Sequence, residues 1–281
     1  MNIRVSADST CDLSQKIIQQ YGIGIVPLYI VMGNRTLRDG IDCTRDDIFS
    51  YVEQTGMICS TAAVSIGDYA DWFGRQLGDF DAVVHFTISS DMSACYQNAC
   101  VAAAEFPGKV FVVDSRNLSN GIGHLAMDAA ILAREGKSAQ EIKEILDEKK
   151  KRLNVSFVLD TLEYLHKGGR CSALTVFGAN VLNLKPCIEV RGGAMGVGRK
   201  YRGTLKKSIL DYVKDRLEGN ENLDCERIFI CDSGMDDDIS DSVYSYIKGL
   251  GRFKEIYHSD SGCTISNHCG PNCLGILYYN A

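Results

Sequence analysis

No apolar run in this sequence of 281 residues approaches the ~20 residues that a membrane-spanning helix requires, and the stretch MNIRVSADST lacks the charged-then-apolar layout of a secretory signal. The expectation is a cytoplasmic protein with no integral membrane segment. Low-complexity tracts are missing, as are internal repeats at the periods of about 20–50 residues that build solenoids. With 45% hydrophobic and 23% charged residues, the composition is that of an ordinary globular chain rather than a disordered one. Nor is there an excess of positive charge to hold a polyanion. The formal net charge is −6, which argues against nucleic acid as the main partner.

Further absences narrow the chemistry. There is no G-x-x-x-x-G-K-[ST] to cradle nucleotide phosphates and no G-x-G-x-x-G after a strand to hold a dinucleotide. The glycine-rich GGAMGVGRK (192–200) breaks both spacings and reads as a hairpin turn. Without a G-x-S-x-G elbow, neither Ser89 nor Ser93 reads as a hydrolase nucleophile. The twelve cysteines include no Cys-x-x-Cys doublet. Cys263, Cys269 and Cys273 crowd together near His258 and His268, but structural zinc sites pair such doublets, so no metal is expected. Cys59, Cys95, Cys100, Cys187 and Cys231 sit among apolar or small residues and read as reduced packing groups. No cofactor is expected.

What is there alternates. The strand pattern NIRVSA leads to the helix LSQKIIQQYG, with Asp12 as its cap and Gly22 as its stop. The apolar run IVPLYIVM then leads to Thr44, which caps RDDIFSYVEQTG. Helices at GDYADWFGRQLG, SACYQNACVAAAEF and SNGIGHLAMDAAILAREG alternate with the strands AVVHF and KVFVV. Uninterrupted apolar strands between amphipathic helices predict a mainly parallel sheet flanked by helices. A charged helix over 137–153 presents Ile142, Ile145, Leu146 and Leu153 on one face. The length favours two domains, at roughly 100–200 residues each. We divide the chain after that helix into α/β domains 1–153 and 154–281. The second has strands at VSFVLD, PCIEV, RIFICDS, KEIYHS and LGILYY, and helices near 172–183, 204–217 and 236–249.

The strand ends share hydroxyls. The first runs into SADST, the fourth into TISSDMS and the fifth into DSRNLS, while CSTAAVS precedes the third helix. At the carboxyl edge of an open parallel sheet, helix N-termini and hydroxyls face a common crevice that suits an anion. Each such Ser, Thr or Asp has an alternative use as an ordinary N-cap. Thr61 and Ser93 exceed what capping requires and are the leading candidates. A weakly charged carboxylate fits best once nucleotide motifs are excluded. Arg170, behind a Gly-Gly turn, and His268, in a turn before the last strand, are either solvated turn residues or groups that neutralise that carboxylate.

DSTCDL (8–13), ISSDMSACYQNA (88–99), DSRNLSNGIGHLA (114–126), LEYLHKGGRCS (162–172), LNLKPCI (182–188) and HCGPNCLGI (268–276) carry a resemblance along essentially the whole chain. In these pieces and their order the sequence resembles the DegV family, bacterial fatty-acid-binding proteins of the FakB kind. The resemblance implies two α/β domains with a ligand tunnel between them. Thr61, Ala62 and Ser93 would bind the carboxylate of a long-chain fatty acid, with Arg170 and His268 beside it. It implies a non-enzymatic carrier that presents the acid to a separate fatty-acid kinase for phospholipid synthesis, with Arg202 nearest the family's basic docking position. One departure stands out: where many members read Thr-Ser-Gln-Pro-Ser, this chain has Thr61-Ala62-Ala63-Val64-Ser65, so a hydroxyl is lost at Ala62. The competing reading is a small phosphotransferase or hydrolase of the same fold using Asp8, Asp114 or His268.

Overall fold

The computed structural model describes residues 1–171 and 184–281. Up to residue 149 the chain runs β1 (Ile3–Asp8), α1 (Gln15–Tyr21), β2 (Gly24–Val26), β3 (Tyr29–Met32), β4 (Arg35–Arg38), α2 (Arg45–Thr55), β5 (Ser60–Ala62), α3 (Ile66–Gln76), β6 (Ala82–Thr87), α4 (Cys95–Ala103), β7 (Val110–Asp114), α5 (Asn120–Arg134) and α6 (Ala139–Lys149). It continues through β8 (Leu153–Val158), α7 (Glu163–Gly168), β9 (Leu184–Arg191), β10 (Ala194–Arg202), α8 (Leu205–Leu217), β11 (Arg227–Ser233), α9 (Asp237–Gly249), β12 (Glu255–Asp260), α10 (Cys263–Cys269) and β13 (Cys273–Tyr279).

β2-β1-β6-β7 form a parallel sheet, and every residue of β6 is buried, as expected of a strand covered on both faces. The larger sheet has the order β10-β9-β8-β13-β11-β12 and is antiparallel except where β11 meets β12. A small antiparallel sheet, β4-β3-β5, completes the fold.

Helix α5 joins the two large sheets. It packs on β1 and β6 on one side and on β8 and β13 on the other, so residues Asn120 to Ala130 are all buried. A helix that is apolar nearly all round belongs in a core. One hydrophobic cluster accordingly runs from Val5 and Val84 through Leu125 and Met127 to Phe157, Phe229 and Leu277. The opposite face of the larger sheet is covered by α8 and α9, through Ile209, Val213, Val243 and Ile247.

Several local expectations are corrected. The run IVPLYIVM is not one strand: the chain breaks at Pro27, and β2 and β3 enter different sheets. Proline has no N–H to continue a ladder. Ser14, not Asp12, caps α1 by accepting from the Ile17 N–H. Asp12 instead adopts a left-handed conformation at the end of a short 3-10 turn. On α6, Ile142 and Leu146 are buried, whereas Ile145 is exposed and Leu153 already belongs to β8. Thr44 does cap α2, in a reciprocal pair with Asp47. The helix expected near 172–183 lies outside the described residues. Among the described residues no helix is long and apolar enough to cross a membrane.

Candidate functional site

Thr61, Ala62, Ser93, Arg170 and His268 line one cavity. They reach it from separate elements. Thr61 and Ala62 come from β5, Ser93 from just before α4, Arg170 from the turn after α7, and His268 from α10. Leu28, Ile88, Met92, Leu118, Leu165 and Met195 supply apolar walls. A second, smaller cavity adjoins the first across Leu118, Ile265 and Cys269, with Val155, Phe157 and Leu277 as apolar walls and Ser156, Asp232, Ser233 and Ser261 also in its lining. The family resemblance implies a tunnel, but no residue pattern pointed to the walls of this extension or to the two methionines, because their meeting depends on how the sheets pack on α5.

Thr61 lies in a strand and caps no helix. Its Oγ1 is 2.9 Å from Nε2 of His268. Burial, and then the nearby Arg170 guanidinium, push the imidazole down to about 4, so it is neutral at physiological pH. Its Nδ1 is buried and has no hydrogen-bond partner among the described residues. Ser93 serves locally as well: its Oγ accepts from the Cys95 N–H at 3.3 Å and donates to Cys95 Sγ at 3.2 Å. Arg170 is exposed, with Nη1 donating to the Gly168 carbonyl at 2.7 Å. Among the described residues lining the cavity it alone is charged, and none is a carboxylate. The site is therefore a neutral, mostly apolar space with hydroxyls, an uncharged imidazole and a rim cation at one end.

The other strand-end polar groups build the walls. Asp8 is fully buried and accepts from Tyr69 Oη at 2.6 Å, His85 Nε2 at 3.2 Å and the Ile88 N–H at 3.1 Å, which fixes the loop that delivers Ile88, Met92 and Ser93. Asp114 accepts from the N–H groups of Ser90 and Arg116 at 3.2 and 2.9 Å. Ser89 Oγ donates to the Gly193 carbonyl at 2.7 Å, and Arg116 reaches both Asp91 and the Gly192 carbonyl. These bonds dock the β9–β10 hairpin, whose Met195 lines the cavity. Of Thr87, Ser89, Ser90 and Ser93, Ser93 alone lines it. GGAMGVGRK turns only at Gly192-Gly193; its remainder is strand β10.

Arg202 lies outside the cavity, exposed at the end of β10, and forms no ion pair with any described residue. Three of its basic neighbours form ion pairs: Arg199 with Asp215, Lys206 with Asp238 and Lys207 with Asp211. The cysteine and histidine cluster disperses. Cys263 packs in the small cluster with Ile30 and Ile48, Cys269 and Cys273 line the second cavity, and His258 bonds Asp232 at 2.6 Å. Among the described residues no group of three or more His, Cys, Asp or Glu side chains could hold a metal ion.

A family model describing the DegV family of uncharacterised proteins matches residues 2–281. A DegV domain-containing protein of Caldanaerobacter subterraneus subsp. tengcongensis is 29% identical over 280 residues, covering 98% of each chain. Among solved structures, the chain is similar to a DegV family protein from Thermus thermophilus described for its fatty-acid binding. That match has 30% identity, a TM-score of 0.89 and coverage of 100% of both chains. A stearic-acid-binding protein from Eubacterium ventriosum matches at 26% identity and a TM-score of 0.86, with 99% of this chain and 98% of that chain covered.

Proposed function

The chain belongs to the DegV family, and from that premise we propose that it is a cytoplasmic carrier that holds one long-chain fatty acid, with the carboxylate at Thr61, Ser93, Arg170 and His268. The observation that carries this reading is the pair of adjoining cavities: Thr61, Ser93, Arg170 and His268 converge among apolar side chains in the first, and the second exposes a mostly apolar wall, with Ser119, Ser156, Asp232, Ser233 and Ser261 also in its lining. Concave, mostly apolar sites with a few convergent polar groups suit a ligand of that shape. Each neutral donor to a carboxylate contributes about 1.5–3 kcal/mol. Arg170 adds a weaker, solvent-screened attraction at the rim. Ala62 has no hydroxyl to give, so at that position only backbone N–H remains as a donor. The acyl chain would pass Leu118 and Ile265 into the second cavity, between the units we take as 1–153 and 154–281.

A carrier needs a consumer. We propose a separate fatty-acid kinase that phosphorylates the presented carboxyl for phospholipid synthesis and docks near Arg202, an exposed basic side chain that forms no ion pair with any described residue. The alternative, an enzyme of the same fold, is disfavoured by the chemistry at hand. Asp8 and Asp114 are occupied by backbone N–H groups, and an imidazole held near 4 is a weak base at neutral pH. Mass spectrometry of organic extracts from purified protein tests the reading. A long-chain acid at near-equimolar amount is expected; turnover of a phosphoester by the chain alone would replace the carrier with the enzyme.

A further inference from the structure

Neutral His268 has one ring nitrogen on Thr61 and the other against bare backbone. Nε2 is 2.9 Å from Thr61 Oγ1, while Nδ1 is buried without a hydrogen-bond partner among the described residues. Glycine is the reason. A Cβ built on Gly168, the last residue of α7, would collide with Nδ1 and come within 3.1 Å of Cε1. The approach is reciprocal: a Cβ on Gly270, just past α10, would stand 2.6 Å from the Tyr164 ring of α7. Helices α7 and α10 thus touch through two glycine–ring contacts.

We infer that Gly168 is a positioning residue that holds His268 as its Nε2–H tautomer, so that Thr61 keeps its own proton for the ligand carboxylate. The inference rests on the carrier reading. A neutral imidazole has one donor and one acceptor nitrogen. Buried N–H groups without an acceptor are rarer than under-used acceptors, so the nitrogen facing Gly168 is the one left unprotonated. Nε2–H then donates to Thr61 Oγ1, and the hydroxyl still has its proton to give. In the other tautomer Thr61 would donate into Nε2 and turn only lone pairs toward the carboxylate. The absent side chain at residue 168 therefore decides whether Thr61 is a donor or an acceptor in the site.

The tautomer is read directly from ¹⁵N spectra of the labelled histidine rings at neutral pH, with His268 assigned by comparison with His268→Gln. The Nε2–H form is expected; the Nδ1–H form would overturn the inference, and this reading needs no ligand. In parallel, wild type and Gly168→Ala are titrated with octadecanoic acid and with its methyl ester, alongside melting curves. Gly168→Ala displaces the imidazole whose Nε2–H fixes the Thr61 hydroxyl as a donor, so it should weaken acid binding about tenfold and change ester binding less than about threefold. In a Thr61→Val background that selective loss should vanish. Equal losses for acid and ester, or a loss undiminished by Thr61→Val, would make Gly168 a packing residue only. Should Gly168→Ala fail to fold, the wild-type spectrum decides. A wild type that binds neither ligand removes the carrier reading, whereas the spectrum judges the tautomer separately.

Discussion

The Thr61 hydroxyl and the His268 imidazole stand 207 residues apart in the chain and 2.9 Å apart in space. That contact ties β5 of the small sheet to α10, so the polar end of the cavity exists only when the N- and C-terminal parts of the chain are packed together. Asp39 reinforces the junction by accepting from the N–H groups of Cys263 and Thr264 at 2.9 and 3.2 Å.

Thr61→Val removes a donor that caps no helix. Its expected effect is a loss of about 1.5–3 kcal/mol in fatty-acid binding, roughly ten- to a hundredfold, with little change in melting temperature. Ser93→Ala should cost affinity similarly and also about 0.5–1 kcal/mol of stability, because Ser93 accepts from the Cys95 N–H. Fluorescent fatty-acid titrations and melting curves of both singles and the double check this. The double should depart from additivity by about 0.5 kcal/mol or more if both hydroxyls serve one carboxylate.

Arg170→Ala should leave the fold intact, since the side chain is exposed and, among the described residues, hydrogen-bonds only the nearby Gly168 carbonyl. Affinity for the acid should fall at most about fivefold at low salt, the scale of an exposed ion pair, and the difference should shrink as salt is added. A salt-independent loss would assign Arg170 a role other than attracting charge.

The pH dependence of stability has a specific source in Asp12. Burial pushes its carboxyl up to about 8, against hydrogen bonds from Ser119 and the Gly262 N–H that pull it down. An unfolded aspartate titrates near 3.9, so between about pH 4 and 8 the folded chain holds a proton that the unfolded chain has released. Stability should therefore fall as pH rises through that window. Asp12→Asn should flatten this part of the melting-temperature profile and melt higher than wild type at pH 8. An unchanged slope would mean that the folded carboxyl is ionised.

Arg202→Glu concerns the proposed partner. It should slow phosphorylation of the bound acid by the kinase without altering fatty-acid affinity, and the defect should diminish at high salt as steering is screened. Equal rates at low salt would remove Arg202 from the docking surface.

Much of the fold was legible because its signals are local. Strand-to-helix alternation, the Thr44 cap and the hairpin glycines each follow from a few consecutive residues. The break at Pro27 was legible in principle, since a proline inside an apolar run demotes a single strand. The site was legible in part. Five residues from four segments line the same cavity: Thr61 and Ser93 were read from the strand-end hydroxyls, Arg170 and His268 stood as alternatives to turn residues, and the family resemblance added Ala62 and joined them, since no spacing relates Thr61 to His268. The convergence of strand-end hydroxyls was a weaker guide. Ser89 bonds a hairpin carbonyl, Ser9 bonds Asp39, and Ser6 bonds His85, so most of them hold walls rather than a ligand. The second cavity and the Gly168–His268 contact depend on helix and sheet packing across the whole chain, which no short pattern records.

The central claim is that a carboxylate is held at one end of an apolar cavity, and the most direct measurement is the relative affinity of the wild-type chain for octadecanoic acid and its methyl ester. The two share a tail and differ in charge at the head. The account predicts that the acid binds at least about tenfold more tightly, and that Thr61→Val removes most of that preference. Equal affinities for acid and ester, or a preference untouched by Thr61→Val, would contradict it.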